Sequence, residues 1–455
     1  MTTPPGPRGR EVLGFFNFKS ASRSLGFLEQ TARRYGPLSY FRLLGHHTYL
    51  PDDADLIKEV LVVQQHCFGR SAGAGILREL VGDGLITREE PLHRERRRIL
   101  QPAFHREQVA SYFDIIAGEC SRTLDNWRDR RSIDIGIEMR QLTLSIIGGS
   151  LFGPEFRESA RAISVVLQRV MQRAGRIVPL VTFLKSLIRN YRRAFPHGPS
   201  LFFQSERKEL DGILQPLIAS RRKSNARDVL SLLLNQYDEA SGALTDEDIR
   251  NEIITFVLAG HETTATALTW ACHLLANHPA AQAQLAAEVT SVLPDREPSA
   301  QDFPHLTYTS MVFNETLRLY PPVPLFGRRV LQPATLAGYK LPVGATIFLS
   351  PYITQRNPRY YPDPDSFIPE RWKTETAPKF AWFPFGGGAK MCIGEPLARA
   401  EGLAILAAIF RRFELLPVAG ETVGINPRVT LTPDRPVILA LQTRNAQVTA
   451  GVSSR

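Results

Sequence analysis

Cys392 lies in Phe385-Gly386-Gly387-Gly388-Ala389-Lys390-Met391-Cys392-Ile393-Gly394, a ten-residue run with four glycines. Glycines let backbone N–H groups approach a sulfur closely and adopt dihedrals that a Cβ disfavours. Such donors favour the thiolate, the form of cysteine that ligates a metal. A helix beginning near Ile393 would add the positive end of its dipole. One thiolate offered in this way points to an axial ligand of haem iron. Three further groupings have spacings that suit chemistry. Ala259-Gly260-His261-Glu262-Thr263-Thr264 places small residues beside an acid and a hydroxyl. Glu315 and Arg318 stand three apart, so one helical face carries both charges. His93 and Arg97 stand four apart, again on one face.

The cysteine run resembles the axial-ligand loop of the cytochrome P450 family, Phe-x-x-Gly-x-x-x-Cys-x-Gly, and the resemblance extends from about residue 35 to 440. It implies α+β architecture: a predominantly helical body, a long central helix and a smaller strand-rich portion. It implies haem b with Cys392 as axial ligand, and Phe385, Gly394, Ala259 and Gly260 bordering the cofactor. Ala259 and Gly260 would leave room for dioxygen; Thr263 would supply a hydroxyl there, and Glu262 a proton route. His261 falls at the variable position of that motif. The family's Glu-x-x-Arg matches Glu315 and Arg318, with Arg371 of Pro369-Glu370-Arg371-Trp372 as the third member of a buried ionic triad that fixes geometry more than it adds stability. His93, Arg97, Arg328 and Lys390 match residues that meet the haem propionates. In the Arg94–Arg98 run this leaves Arg94, Arg96 and Arg98 outside, with His93 and Arg97 inside. Two positions depart from the family pattern. Lys390 stands where Arg or His is common, giving a charge without a planar fork. Gln355 stands where His is common, which would alter a local hydrogen bond.

The implied activity is monooxygenation: one atom of O2 enters a hydrophobic small molecule such as a fatty acid, a terpene or a steroid-like compound. Matching of family regions places substrate contacts at Ile76, Leu77, Leu80, Phe256, Val323, Leu325, Phe326 and Leu431. All are apolar, as a hydrophobic guest requires. Electrons would come from NAD(P)H through a separate, acidic ferredoxin or flavodoxin-like donor, steered to a basic face formed by Lys390, Arg399 and exposed members of the Arg94–Arg98 run. A peroxide-driven peroxygenase or oxygen-independent isomerase would share the cysteine loop, although such branches often lose the acid–Thr pair kept here. A haem sensor or carrier without turnover is the alternative of another class.

These groups need elements to position them. Leu38–Arg42 and His47–Leu50 read as strands, followed by a helix from Pro51. Between about 90 and 320 apolar residues recur at helical spacing, in Val109–Trp127, Met139–Leu151, Ile163–Val170 and Leu210–Ile218. Thr245 ahead of three acidic residues predicts a helix start, and its pattern runs to about Asn277. Roughly 33 residues would span about 50 Å, enough to cross the molecule beside the cofactor. After 320, Ala345–Leu349 and Val437–Ala440 read as strands. The chain divides into a Pro/Gly-containing lead-in (1–34), one domain (35–442) and a polar tail (443–455). Apolar Ile177–Leu184, followed by Lys185, Arg189, Arg192 and Arg193, lies where the family has its mobile lid, packing over the pocket or brushing a membrane surface.

Composition narrows the class. The 455 residues are 43% hydrophobic and 22% charged, as in an ordinary globular protein. Cys67, Cys120, Cys272 and Cys392 form no CxxC pair, which speaks against a disulfide scaffold or zinc site and fits a reducing cytoplasm. No apolar run approaches membrane-spanning length, so a soluble protein without a transmembrane anchor is expected, as a monomer. The net charge of +10 is scattered and no nucleic-acid motif accompanies it.

Overall fold

The central helix runs from Asp246 to Asn277, 32 residues, or about 48 Å. Thr245 caps it reciprocally: its Oγ1 accepts the Asp248 N–H at 3.1 Å, and the Asp248 carboxylate accepts the Thr245 N–H at 3.2 Å. Asp246, Glu247 and Asp248 suit the positive end of the dipole. The helix stops at His278, and Pro279 opens the next, Pro279–Val292, at a position where no N–H is needed.

This computed structural model describes residues 2–15, 21–43, 45–71, 78, 81–153, 156, 159–170, 173, 203–222, 228–235, 237–238, 242–294, 296–374, 377–418, 420, 422–427 and 429–444. Ile76, Leu77, Leu80, the expected lid at 177–193 and the tail beyond Arg444 lie outside them.

The central helix crosses Ile135–Ile147 on one side and Glu395–Arg412 on another. Gly260 makes the first crossing possible, since a Cβ there would fall 2.8 Å from Ile147 Cδ1. Trp270, Phe313 and Phe410 are among the largest fully buried side chains of this body, each stabilising it by about 2–3 kcal/mol through burial.

The strand-rich portion joins distant parts of the chain. Its five-stranded sheet has the order Leu38–Leu43, His46–Pro51, Thr346–Leu349, Phe326–Val330, Phe68–Arg70. All neighbours are antiparallel except His46–Pro51 with Thr346–Leu349. A second sheet sets Ile438–Thr443 between Phe413–Pro417 and Ser132–Asp134. Helix Ala21–Tyr35 is built into this portion: Leu28 and Ala32 are buried with Phe41, Leu50 and Ile353.

Three local expectations change. The helix expected from Pro51 starts at Ala54, because the Asp53 side chain accepts the N–H groups of Asp55 and Leu56. Val109–Trp127 is two helices, Arg106–Ser111 and Phe113–Asp125, broken at Tyr112. The helical stretch after residue 90 also contains the strand Ser132–Asp134, whose partner comes from the end of the chain.

Candidate functional site

The loop before Cys392 is shaped by glycine. Gly386 and Gly388 have φ of +73° and +68°, and a Cβ on Gly388 would sit 1.8 Å from the Leu61 carbonyl oxygen. The Cys392 N–H donates to the Phe385 carbonyl at 2.9 Å. The N–H groups of Gly394 and Glu395, at the start of helix Glu395–Arg412, donate to the sulfur. Burial nevertheless dominates and pushes the thiol up to about 11, with the Gly394 N–H and Arg97 pulling the other way. A thiol so placed keeps its proton in water at neutral pH and releases it to solvent only when a metal cation takes the sulfur.

Cys392 keeps accessible surface although protein surrounds it. The central helix shows the same pattern. Residues 249–258 and 264–272 are buried throughout, yet Ala259, Gly260, Glu262 and Thr263 between them keep accessible surface. Surface in the middle of a buried helix belongs to an interior hollow. Thr263 Oγ1 donates to the Ala259 carbonyl at 2.5 Å, the back-bond that loosens a helix locally. Thr430 Oγ1 donates to Glu262 Oε1 at 3.2 Å. His261 faces away: it is buried, with Nδ1 at the Val257 carbonyl and Nε2 3.3 Å from Ser164.

Cations gather on one side. Arg328 on Phe326–Val330 is directly opposite Arg70 on Phe68–Arg70. Burial, then Arg70, lowers Arg328 to about 10. Lys390 pairs with Glu89 at 3.4 Å and is lowered by burial, with Arg70 and Arg328 lowering it further. Burial and Arg70 also lower His93, which lies 3.0 Å from Glu90, so the positive charge here resides on the guanidinium groups and Lys390. Arg97 Nη1 donates to the Met391 carbonyl at 2.6 Å, next to the ligand cysteine.

Beneath the loop, Glu315 and Arg318 are fully buried and paired at 2.8 Å, and Arg371 Nε reaches Glu315 at 2.9 Å. Glu315 also accepts from Trp372 Nε1 and the Ile368 N–H. Gln355 replaces the usual imidazole with more contacts: its Nε2 donates to the Leu317 and Arg318 carbonyls, and its Oε1 accepts the Phe383 N–H at 2.9 Å. It ties the Glu315 helix, Thr307–Leu319, to the segment leading to Cys392. Phe385 is half-buried, with the Arg399 guanidinium 5.2 Å from its ring centre.

Several expectations are corrected. Arg96 is fully buried, not outside, and pairs with Asp248 at 3.2 Å and Glu252 at 3.6 Å. It stands three after His93, so both face the interior. Lys390 is turned inward to Glu89 with a tenth of its side chain exposed, and Arg399 is paired with Glu395 at 2.9 Å, so neither presents a bare charge for docking. Leu431 is fully buried; its N–H donates to the Pro322 carbonyl and its carbonyl accepts from Trp270. It braces its turn rather than offering surface. Phe256 is buried against Phe104, ring centres 5.5 Å apart. Val323, Leu325 and Phe326 are half-buried, with Leu325 against the Phe41 cluster and Phe326 edge-on to Phe383.

Arg70, Glu89 and Thr430 were not foreseen, because pairing across the fold, not local spacing, brings them here. Glu401 had a signal: an acid within the apolar Ala400–Phe410 stretch. It is fully buried and raised well above the usual carboxylate range by burial, with Thr264 pulling the other way and both carboxylate oxygens without a hydrogen-bond partner among the described residues.

The donor set fits haem. Among the described residues no group of three His, Cys, Asp or Glu is assembled to hold a metal ion, so a metal at Cys392 must bring its other ligands with it. Arg70, Arg328 and Lys390, crowded and desolvated, fit carboxylates brought by the same group.

Comparisons with known proteins agree. The family model described as Cytochrome P450 matches residues 4–440. "Cyclooctatin synthase" of Streptomyces melanosporofaciens is 36% identical over 88% of this chain and 87% of its own. "Pentalenene oxygenase" of Streptomyces avermitilis is 32% identical over 92% and 90%. "Cyclooctat-9-en-7-ol 5-monooxygenase" of S. melanosporofaciens is 32% identical over 85% and 84%. Among solved structures, the "cytochrome P450DA heme domain" superposes with a TM-score of 0.84 at 25% identity, covering 97% of this chain and 98% of that one.

Proposed function

This chain belongs to the cytochrome P450 family of haem-dependent monooxygenases, and we propose that the molecule it oxidises is a terpene alkene or alcohol. The observation that carries the substrate class is the kinship with enzymes named for such compounds; Val323, Leu325 and Phe326, apolar and half-buried, suit a hydrophobic guest.

In this reading Cys392 would supply the thiolate that holds haem, and Arg70, Arg97, Arg328 and Lys390 would meet its carboxylates, with His93 an uncharged neighbour. When bound, haem supplies the redox chemistry that activates dioxygen. The chain excludes water with its apolar walls, orients the guest, and brings protons by way of Glu262 and the Thr263 hydroxyl. The Glu315–Arg318–Arg371 triad and Gln355 keep the cysteine loop in register.

Electrons come from NAD(P)H through an acidic ferredoxin or flavodoxin-like donor. The docking face lies elsewhere than Lys390 and Arg399. A surface groove of about 340 Å³ is lined by Arg94, Arg97, Arg98, Gln101, Pro102 and His105, and Arg97 links it to Met391, itself exposed beside Cys392. Residence in the cytoplasm as a monomer completes the proposal; the four cysteines are unpaired thiols, and no described helix is long and apolar enough to cross a membrane.

The test is a panel of terpene alkenes and alcohols, fatty acids and steroids, scored by the shift of the Soret band and by product formed with NAD(P)H and a ferredoxin system. Terpenes should shift the band and be oxygenated. Shifts and products confined to fatty acids or steroids would overturn the substrate class.

A further inference from the structure

Glu262 receives its hydrogen bond from outside the central helix. The donor, Thr430, follows the strand Ile425–Pro427 and immediately precedes Leu431–Pro433. Thr430 is more than nine-tenths buried, and its position is fixed independently of Glu262. The next residue, Leu431, donates its N–H to the Pro322 carbonyl at 2.9 Å and accepts from Trp270 Nε1 at 2.7 Å. Trp270 in turn stacks on Tyr320, ring centres 3.9 Å apart and 7° from parallel. The Thr430 hydroxyl is therefore a preorganised donor, held by the same frame that holds the segment beginning at Pro322.

We propose that Thr430 is the positioning residue for Glu262: its O–H fixes the direction of that carboxylate at the edge of the hollow. Thr263 cannot do this, because its own hydroxyl is committed to the Ala259 carbonyl. His261, the preceding residue of the helix, directs its ring to Val257 and Ser164 instead. The inference rests on the monooxygenase reading but not on the identity of the substrate.

The experiment uses the holoenzyme. Thr430→Val deletes the hydroxyl at nearly constant volume, Thr430→Ser keeps it, and Thr430→Ala deletes it should valine not be accommodated. The Glu262 carboxylate stretch is followed by infrared difference spectroscopy, its band assigned by its loss in Glu262→Gln. A hydrogen bond donated to a carboxylate oxygen polarises it, so Thr430→Val should shift that band, with Thr430→Ser at the wild-type frequency. The fraction of reducing equivalents released as hydrogen peroxide should rise severalfold in Thr430→Val and return with Thr430→Ser. A band unmoved by removal of the hydroxyl would overturn the proposal, whether or not peroxide rises, because a peroxide change alone would report altered pocket shape. Failure of the terpene reading would show in the ligand panel and leave the infrared band untouched.

Discussion

Single residues in this site are constrained by contacts that their type makes possible. Gly388 is the sharpest case, since positive φ and the Leu61 carbonyl both exclude a side chain. Gly388→Ala should cost about 2 kcal/mol or more, read by urea unfolding, and should loosen retention of haem. Unfolding at wild-type denaturant concentration would show that the loop has room after all. Gln355 is a second case, because three of its bonds end on groups that would otherwise be buried without partners. Gln355→Ala should be destabilising by roughly 2–4 kcal/mol in the same assay. An imidazole has too few ring nitrogens to replace all three.

Between elements, the decisive feature is the ionic contact of helix Leu92–Leu100 with the central helix. Arg96 and Glu252 are both fully buried, and Glu252 also accepts the Leu85 N–H at 2.9 Å. Burial raises Glu252 to about 7. A carboxyl raised in the folded state binds protons more tightly there than in the unfolded chain, so its contribution to stability declines as pH climbs from about 4.5 to about 7. Glu252→Gln should remove that part of the pH dependence, measured as midpoint temperature against pH. Arg96→Met should cost about 3 kcal/mol above pH 7, where an ionised Glu252 loses its partner, and less near pH 5, where the acid is neutral. An equal cost at both pH values would refute the coupling. Sequence patterns revealed the helices themselves, because Thr245 and the apolar period are local signals. They also singled out Cys392, Glu262 and Thr263 as candidates, and the Glu315–Arg318 spacing, which the structure pairs. They placed Arg96 on the wrong face because five consecutive charged residues conceal which side is dry. They missed Arg70 and Thr430 because strand register and a turn from the far end of the chain decide what those residues meet.

For the molecule as a whole, charge is unevenly useful. Many basic side chains pair with carboxylates, Arg94 with Glu90 at 3.7 Å among them, and Arg94 and Arg98 stand exposed beside the groove near Met391. Arg94→Glu with Arg98→Glu should slow reduction by an acidic donor at low salt by tenfold or more and flatten its dependence on ionic strength, as followed by stopped-flow spectroscopy. Unchanged rates would move the docking face elsewhere.

The sheet that sets Arg70 against Arg328, and the contact of Gly388 with Leu61, impose an order on biosynthesis. A nascent polypeptide has only one member of the first pair until residue 328 is made, and only one of the second until residue 388. Metalation must wait until translation has passed Cys392, and chains truncated before that point should leave the cell's porphyrin supply untouched.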